Sequence, residues 1–138
     1  MKNIVVIAHD SKKTELVSFF KEREEWLFGK QLIATGKTAD AVESEIKKIP
    51  IEHLSRGRYG GYNEITGKLK NNEIDLVVFF KDHEVKEHHI DIQLLLDTCN
   101  INNVPLATNT ATADLLIIGW IKKESIEKLK LKNAYSSY

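Results

Sequence analysis

The chain has 138 residues, of which 42% are hydrophobic and 29% are charged, a composition typical of a globular protein. This length predicts one domain over residues 1–138 with one core, and it leaves too little chain for two domains. No apolar stretch is long enough to cross a bilayer, and 20 basic side chains balance 20 acidic ones, so neither a membrane nor nucleic acid is an expected partner.

The first expected element is a strand at Asn3–Ala8. The residues before it lack the long apolar region and cleavage site of a secretory signal, so a cytoplasmic location is expected. Four further apolar runs predict strands at Gln31–Thr35, 49–54, 75–80 and 104–108. Segments with the 3.6-residue period of helices lie between these strands.

Alternation of strands and helices predicts an α/β fold in three layers. A mainly parallel five-stranded sheet with helices on both faces is the arrangement that right-handed crossovers produce. The almost wholly apolar run LVVFF at 76–80 supports this, because strands of such sheets are buried on both faces. Ligands of open α/β sheets bind beyond the carboxyl ends of the strands, so the residues that follow each strand are the candidates for a site.

The turns after the expected strands are rich in hydroxyl groups, glycines and cations. Lys13, Lys37, Arg56 and Arg58 lie near these turns, and hydroxyls, helix N-termini and cations together are typical of a phosphate pocket. Asp10 and Thr38 can also be read as helix N-caps. The GKT sequence at 36–38 lacks the earlier glycine of a nucleotide-binding loop, so nucleotide hydrolysis is not expected.

A cluster of histidines and acidic residues follows the fourth expected strand. Its spacing matches no helical metal-binding pair such as H-E-x-x-H, and a hydrophilic loop is the simpler interpretation, so no metal is predicted. A neutral imidazole of this cluster can instead act as an electrophile at a carbonyl oxygen. The residues concerned are Asp82, His83, Glu84, Glu87, His88, His89 and Asp91.

Five strand-end segments resemble those of methylglyoxal synthases. That family carries, in order, A-H-D, A-T-G-T-T, S-G-P-x-G-G-D, F-F-x-D with a later histidine, and P-x-A-T-N-x-A-T-A-D. The matching segments here are 8–10, 34–38, 55–61, 79–82 and 105–114. The resemblance covers nearly the whole domain apart from the C-terminal tail, and by it the chain is identified as a member of this family.

The resemblance implies a carbon–oxygen lyase. Such an enzyme deprotonates dihydroxyacetone phosphate to an enediolate, which eliminates phosphate to give methylglyoxal without a metal or an organic cofactor. It implies catalytic roles for Asp82, Asp91 and His88, where His88 is chosen over His89 by matching backwards from Pro105. It also implies a homo-oligomer, with a hexamer as one candidate. The expected substrate contacts are His9, Asp10, Lys13, Thr35, Gly36, Lys37, Thr38, Ser55, Arg56, Gly57 and Tyr62.

The chain departs from the family pattern where the family places its catalytic base. Tyr62 stands where the family has an aspartate after the paired glycines. A phenol with a pKa near 10 is a poor base at neutral pH, so a carboxylate is expected to replace it. The first candidates are Asp82 and Asp91, and Asp10 and Glu64 are the others. The loop before Tyr62 is also one residue longer, and Asp97 stands where the family has an arginine.

Three functions are compatible with these residues. The first is an active synthase with a substitute base, which the presence of Asp82, Asp91 and His9 favours. The second is a catalytically impaired member that binds a phosphorylated effector, because the same fold forms the effector-binding end of carbamoyl phosphate synthetases. The third, a cyclohydrolase of purine biosynthesis, has no positive support in the sequence.

Overall fold

The structure is a computed structural model that describes residues 2–85 and 89–136. The strands are β1 (Asn3–Ala8), β2 (Gln31–Thr35), β3 (Ile51–Leu54), β4 (Leu76–Phe80) and β5 (Leu106–Ala107). The helices are α1 (Lys13–Lys21), α2 (Glu24–Leu27), α3 (Gly36–Glu45), α4 (Gly61–Lys70), α5 (Ile90–Ile101) and α6 (Thr110–Ser136). Short 3-10 turns at Asp10–Lys12 and Gly57–Tyr59 precede α1 and α4.

The five strands form one sheet in the order β3-β2-β1-β4-β5, and every neighbouring pair is parallel. This confirms the expected fold class. The bounds of β1 and β2 are as predicted, whereas β3 and β5 begin later than expected. Pro50 and Pro105 precede them and have no amide hydrogen to donate, although their carbonyls accept hydrogen bonds from Leu32 and Val77.

Both faces of the sheet are buried under helices, which confirms the three layers. Alternate residues of β1 divide between two clusters, with Ile4, Val6 and Ala8 facing α1, α3 and α6. Val5 and Ile7 face α4 and α5 on the other side. Because the valines and isoleucines of β1 are 0–1% exposed, each of them contributes roughly 1.5–3 kcal/mol of hydrophobic stabilisation.

The helices follow from apolar side chains at helical spacing. Leu16, Phe19 and Phe20 bury one face of α1, and Ile92 and Leu95 bury one face of α5. The apolar positions of α1 thus recur at the i, i+3 and i+4 spacing by which a helix turns one stripe toward a sheet.

Helix α6 begins with a side-chain cap and runs beyond the core. The Asn109 side-chain oxygen accepts a hydrogen bond of 2.9 Å from the amide of Thr112, and Ala113 and Ile117 are buried against the sheet. Farther along, Glu124 lies 3.7 Å from Lys30.

Within residues 2–85 and 89–136, no helix combines the length and the apolar character that crossing a membrane requires.

The topology places the site at the carboxyl ends of the central strands. All five carboxyl ends point the same way, and the chain reverses its direction of progress across the sheet at β1, between β2 and β4. The amide of His9 donates to the carbonyl of Phe80 over 3.2 Å, so the ends of β1 and β4 are held together. Such a switch point is where open α/β sheets bind ligands.

Candidate active site

A cavity of about 580 Å³ opens at the carboxyl ends of the central strands. Most of the residues expected from the sequence lie on its lining, together with several that were not expected. The expected residues on the lining are His9, Asp10, Lys13, Thr35, Lys37, Thr38, Arg56, Gly57, Tyr62 and Asp82. The others are Ala8, Ser11, Arg58, Tyr59, Val85, His89 and Ile92.

Three expected site residues that the structure describes are not on this lining. Gly36 lies beneath Arg56, and Ser55 precedes the loop that lines the cavity. Asp91 lies directly behind His89. His88 falls outside the described residues.

The N-terminus of α3 forms one wall of the cavity. Thr35 is extended, with φ −79° and ψ 148°, and the helix starts at the next residue. Thr35 and Thr38 are buried, with 5% and 3% of their surface exposed. The amides of the first helical turn have no acceptor within the helix, so this wall offers donors and partial positive charge to an anion. The helix begins at Gly36, so Thr38 lies inside it rather than at the N-cap position.

The loop at 55–61 packs tightly on the N-terminus of α3 because glycines in both the loop and the helix leave room. A Cβ on Gly36 would lie 2.8 Å from Cγ of Arg56, and a Cβ on Gly61 would overlap the carbonyl oxygen of Ser55. Gly60 has a φ of +109°, a left-handed conformation that glycine adopts without strain. The glycines thus bring Arg56 against the start of α3.

Positive charge surrounds the mouth of the cavity. Lys13 is held by an ion pair of 2.5 Å with Asp10, and this ammonium keeps the pKa of Asp10 below its ordinary value. Lys37, Arg56 and Arg58 are exposed, and none of them joins an ion pair within residues 2–85 and 89–136. These three cations can therefore bind an anionic ligand without first giving up a carboxylate partner.

Asp82 is an ionised carboxylate on the lining. The hydroxyl of Ser11 donates to it over 2.7 Å, and the amide of Glu84 donates over 2.9 Å. These hydrogen bonds stabilise the charged form and hold the pKa of Asp82 below its ordinary value. Asp82 is therefore deprotonated at neutral pH, as a group that must accept a proton has to be.

His9 is fixed in one orientation by the backbone of β4's end. Its Nδ1 accepts the amide hydrogen of Asp82 over 2.8 Å. A neutral imidazole whose Nδ1 accepts carries its proton on Nε2, so His9 can donate through that nitrogen. The same hydrogen bond brings the imidazole next to the Asp82 backbone.

His89 has a similar arrangement at the start of α5. Its Nδ1 accepts the amide hydrogen of Asp91 over 3.2 Å and lies 3.4 Å from a carboxylate oxygen of the same residue. Asn63 donates to that carboxylate over 3.3 Å. Asp91 thus supports His89 from behind, and His89 reaches the cavity.

Tyr62 occupies the wall between Phe79 and His89. Its ring stacks on Phe79 with 6.4 Å between centroids and an interplanar angle of 15°. Burial raises the pKa of Tyr62 above its ordinary value, so the phenol stays neutral. A phenol that keeps its proton cannot accept one from a ligand at neutral pH.

The sequence carried a signal for some of the unexpected lining residues. Arg58 belongs to the cations near the turns, and His89 was the alternative to His88. Ser11 follows the first strand but is chemically inconspicuous, and Val85 and Ile92 are apolar residues without a functional pattern. Among the described residues, no three His, Cys, Asp or Glu side chains are grouped so that they could hold a metal ion.

Comparison with known proteins shows which family this chain belongs to. The MGS-like domain family model matches residues 15–108. A methylglyoxal synthase of Clostridium botulinum (strain Eklund 17B / Type B) is 41% identical over 115 residues, which are 83% of this chain and 96% of the relative. A methylglyoxal synthase of Geobacillus thermodenitrificans is 41% identical over 84% of this chain and 81% of its own.

A solved structure agrees with these relatives. The crystal structure of methylglyoxal synthase from Elizabethkingia anophelis NUHP1 superposes with a TM-score of 0.77 and 31% identity, covering 84% of this chain and 76% of that one. The family model covers β2 to β5 and the turns after β2, β3 and β4, whereas β1 and the turn after it precede the matched residues. The chain therefore belongs to the MGS-like domain family.

Proposed function

We propose that this protein is a carbon–oxygen lyase that converts dihydroxyacetone phosphate to methylglyoxal and phosphate through an enediolate. The observation that carries the proposal is the ionised carboxylate of Asp82 on the cavity lining. The backbone amide of the same residue donates a hydrogen bond to His9. The similar proteins named methylglyoxal synthase support an active enzyme over the impaired, effector-binding alternative.

The substrate phosphate would bind at the N-terminus of α3. Thr35 and Thr38 offer hydroxyl groups there, and Lys37 and Arg56 offer positive charge from the rim. Lys13 adds an ammonium group that Asp10 partly neutralises. Helix amides, hydroxyls and cations together are suited to a dianionic phosphate ester.

Asp82 would act as the base. Its carboxylate takes a proton from the hydroxymethyl carbon, and the electron pair of that C–H bond becomes the carbon–carbon double bond of an enediolate. When the enediolate collapses, the hydroxyl-bearing carbon becomes an aldehyde carbonyl, the double bond shifts to the carbon that carried the phosphate, and the C–O bond to phosphate breaks. The hydroxyl proton leaves with inorganic phosphate. The remaining enol then takes up a proton on carbon and becomes methylglyoxal, so no oxidant or metal is consumed.

The imidazoles of His9 and His89 would stabilise the carbonyl oxygen as it becomes negative. Each has an Nδ1 that accepts a backbone amide hydrogen, which leaves Nε2–H as the donor of a neutral ring. A neutral donor suits this reaction because the developing charge is on oxygen and the proton need not be transferred. Asp91 would orient His89, and it is the second candidate for the base after Asp82.

The proposal extends to the cellular location and the oligomeric state of the protein. We infer one domain that works in the cytoplasm as a homo-oligomer, with a hexamer as the candidate assembly. Sedimentation analysis of the purified protein tests the oligomer, and a single cooperative melting transition tests the single domain.

Incubation with dihydroxyacetone phosphate, with methylglyoxal and inorganic phosphate measured together, tests the reaction. The two products should appear in equal amounts. Asp82→Asn should lower kcat by roughly 10²- to 10⁴-fold, the usual contribution of a general base. Asp97→Asn is the matched control, because it makes the same change at an exposed carboxylate of α5 that is not on the lining. It should leave kcat unchanged. Full activity in Asp82→Asn would reject Asp82 as the base, and Asp91→Asn would then be tested.

A further inference from the structure

Four rings form a row along one wall of the cavity. His9 meets Phe79 edge to face with 5.3 Å between centroids, and Phe79 stacks on Tyr62 at 6.4 Å. Tyr62 in turn lies 6.4 Å from His89. We call these four residues the ring row. Because Phe79 is fully buried in β4, the sheet itself fixes the position of the row.

The hydroxyl end of Tyr62 is placed by Gly57. A Cβ on Gly57 would overlap the Tyr62 ring at Cζ, the carbon that carries the hydroxyl group. Both residues line the cavity, so the phenol occupies space that a side chain at 57 would otherwise fill. The hydroxyl makes no hydrogen bond to any residue that the structure describes. The ring is thus held by packing while its polar atom is left available to a ligand.

The protonation state of this phenol suits a donor. Burial raises the pKa of Tyr62, the nearby carboxylate of Asp10 raises it further, and the positive charge of Arg58 opposes both. The group therefore carries its proton throughout the physiological range. A neutral phenol gives a strong hydrogen bond to an anionic oxygen and, unlike a cation, needs no counter-charge before the anion forms.

We propose that Tyr62 donates a hydrogen bond to the enediolate oxygen, beside the two imidazoles of the ring row. The residue that replaces the family's aspartate would then be a catalytic residue of a different kind, an oxyanion donor that keeps its proton during the reaction. Asp82 would remove the proton from carbon. The inference rests on the proposed function for the identity of that oxygen, but the hydrogen bond itself needs only an anionic oxygen at the same point.

Two ligands separate this role from mere packing. The carboxylate of 2-phosphoglycolate copies the charge of an enediolate, whereas inorganic phosphate copies only the phosphate end. Tyr62→Phe keeps the ring against Gly57 and Phe79 and removes only the hydroxyl. In calorimetric titration, we expect this substitution to weaken the binding of 2-phosphoglycolate about tenfold and to leave the affinity for inorganic phosphate unchanged. In turnover it should lower kcat by about 100-fold with little change in KM.

Tyr59→Phe is the matched control. Tyr59 also lines the cavity but is 79% exposed, and its substitution should not alter the preference for 2-phosphoglycolate over phosphate. Gly57→Ala should lower the preference as Tyr62→Phe does, because the added methyl group displaces the ring. An unchanged preference in Tyr62→Phe would overturn the proposal. Equal weakening of both ligands would also overturn it, since Tyr62 would then act only through packing of the loop.

The binding result is independent of turnover. If the wild-type protein releases no methylglyoxal but Tyr62→Phe loses its preference for 2-phosphoglycolate, the proposed reaction fails and the hydrogen bond stands. If the wild type turns over and Tyr62→Phe matches it in kcat and in both affinities, the hydrogen bond fails and the reaction stands.

Discussion

Replacing Gly61 with alanine should destabilise the protein and weaken phosphate binding at the proposed site. The added Cβ would overlap the carbonyl oxygen of Ser55 and lie 2.9 Å from Cγ2 of Thr35. Two of the three nearest atoms belong to the backbone, so the loop must move rather than a flexible side-chain end. Overpacking of this kind costs about 1–3 kcal/mol.

A second glycine of α4 provides the matched control. Gly67 is exposed, and a Cβ there would meet no atom within 4 Å. Alanine at that position removes only the helix penalty of glycine, so it should stabilise the protein by roughly 0.5–1 kcal/mol. For a chain of this length, 1 kcal/mol shifts Tm by about 3 °C, so the two variants should melt on opposite sides of the wild type.

The functional part of this prediction is measured by phosphate binding. The amide of Gly61 donates to the carbonyl of Arg56 over 3.0 Å, so displacement of the loop should move Arg56 away from the start of α3. Gly61→Ala should therefore weaken inorganic phosphate in calorimetric titration, whereas Gly67→Ala should not. A Gly61→Ala protein that is as stable as the wild type and binds phosphate as tightly would refute the argument that glycine is needed for this close approach.

Two further substitutions test the charges of the cavity. Ser11→Ala removes the hydrogen bond that contributes most to the lowered pKa of Asp82, so that pKa should rise and the acid limb of the kcat/KM profile should move to higher pH. An unmoved limb would show that Asp82 does not control it. Lys37→Ala combined with Arg56→Ala should weaken inorganic phosphate by about tenfold or more, with a smaller salt dependence than the wild type. The same double change at the exposed lysine pair 47–48 should have no effect.

Much of the fold was predictable because it depends on local patterns. The bounds of β1 and β2 follow from apolar runs that end in polar turns, and the parallel order follows from the alternation with helices. The late start of β3 depends on Pro50, which the apolar run around it conceals. A single proline shortens a strand without changing the layer in which it lies, so the architecture was correctly predicted although this boundary was not.

The site was less predictable because its details depend on contacts between distant segments. The position of His9 after β1 can be read from the sequence, but its hydrogen bond to the Asp82 amide joins residues 73 positions apart. The fit between Gly57 and the Tyr62 ring depends on the angle at which α4 leaves its loop, which no local pattern specifies. The choice between His88 and His89 rested on matching backwards from Pro105, where an offset of one residue exchanges the two histidines.

The position of each strand in the sheet determines which parts of this cavity can change during evolution. β1 and β4 pair in the middle, with Ala8 opposite Phe80, and a slip of one residue would exchange the two sides of β4 and separate His9 from Asp82. β3 lies at an edge, paired on one side with β2, and the loop that carries Arg56 and Gly57 follows it. That loop can gain a residue without altering any central pairing. The groups proposed for proton transfer are thus fixed by the central pairing of the sheet, whereas the loop at its margin can change without disturbing that pairing.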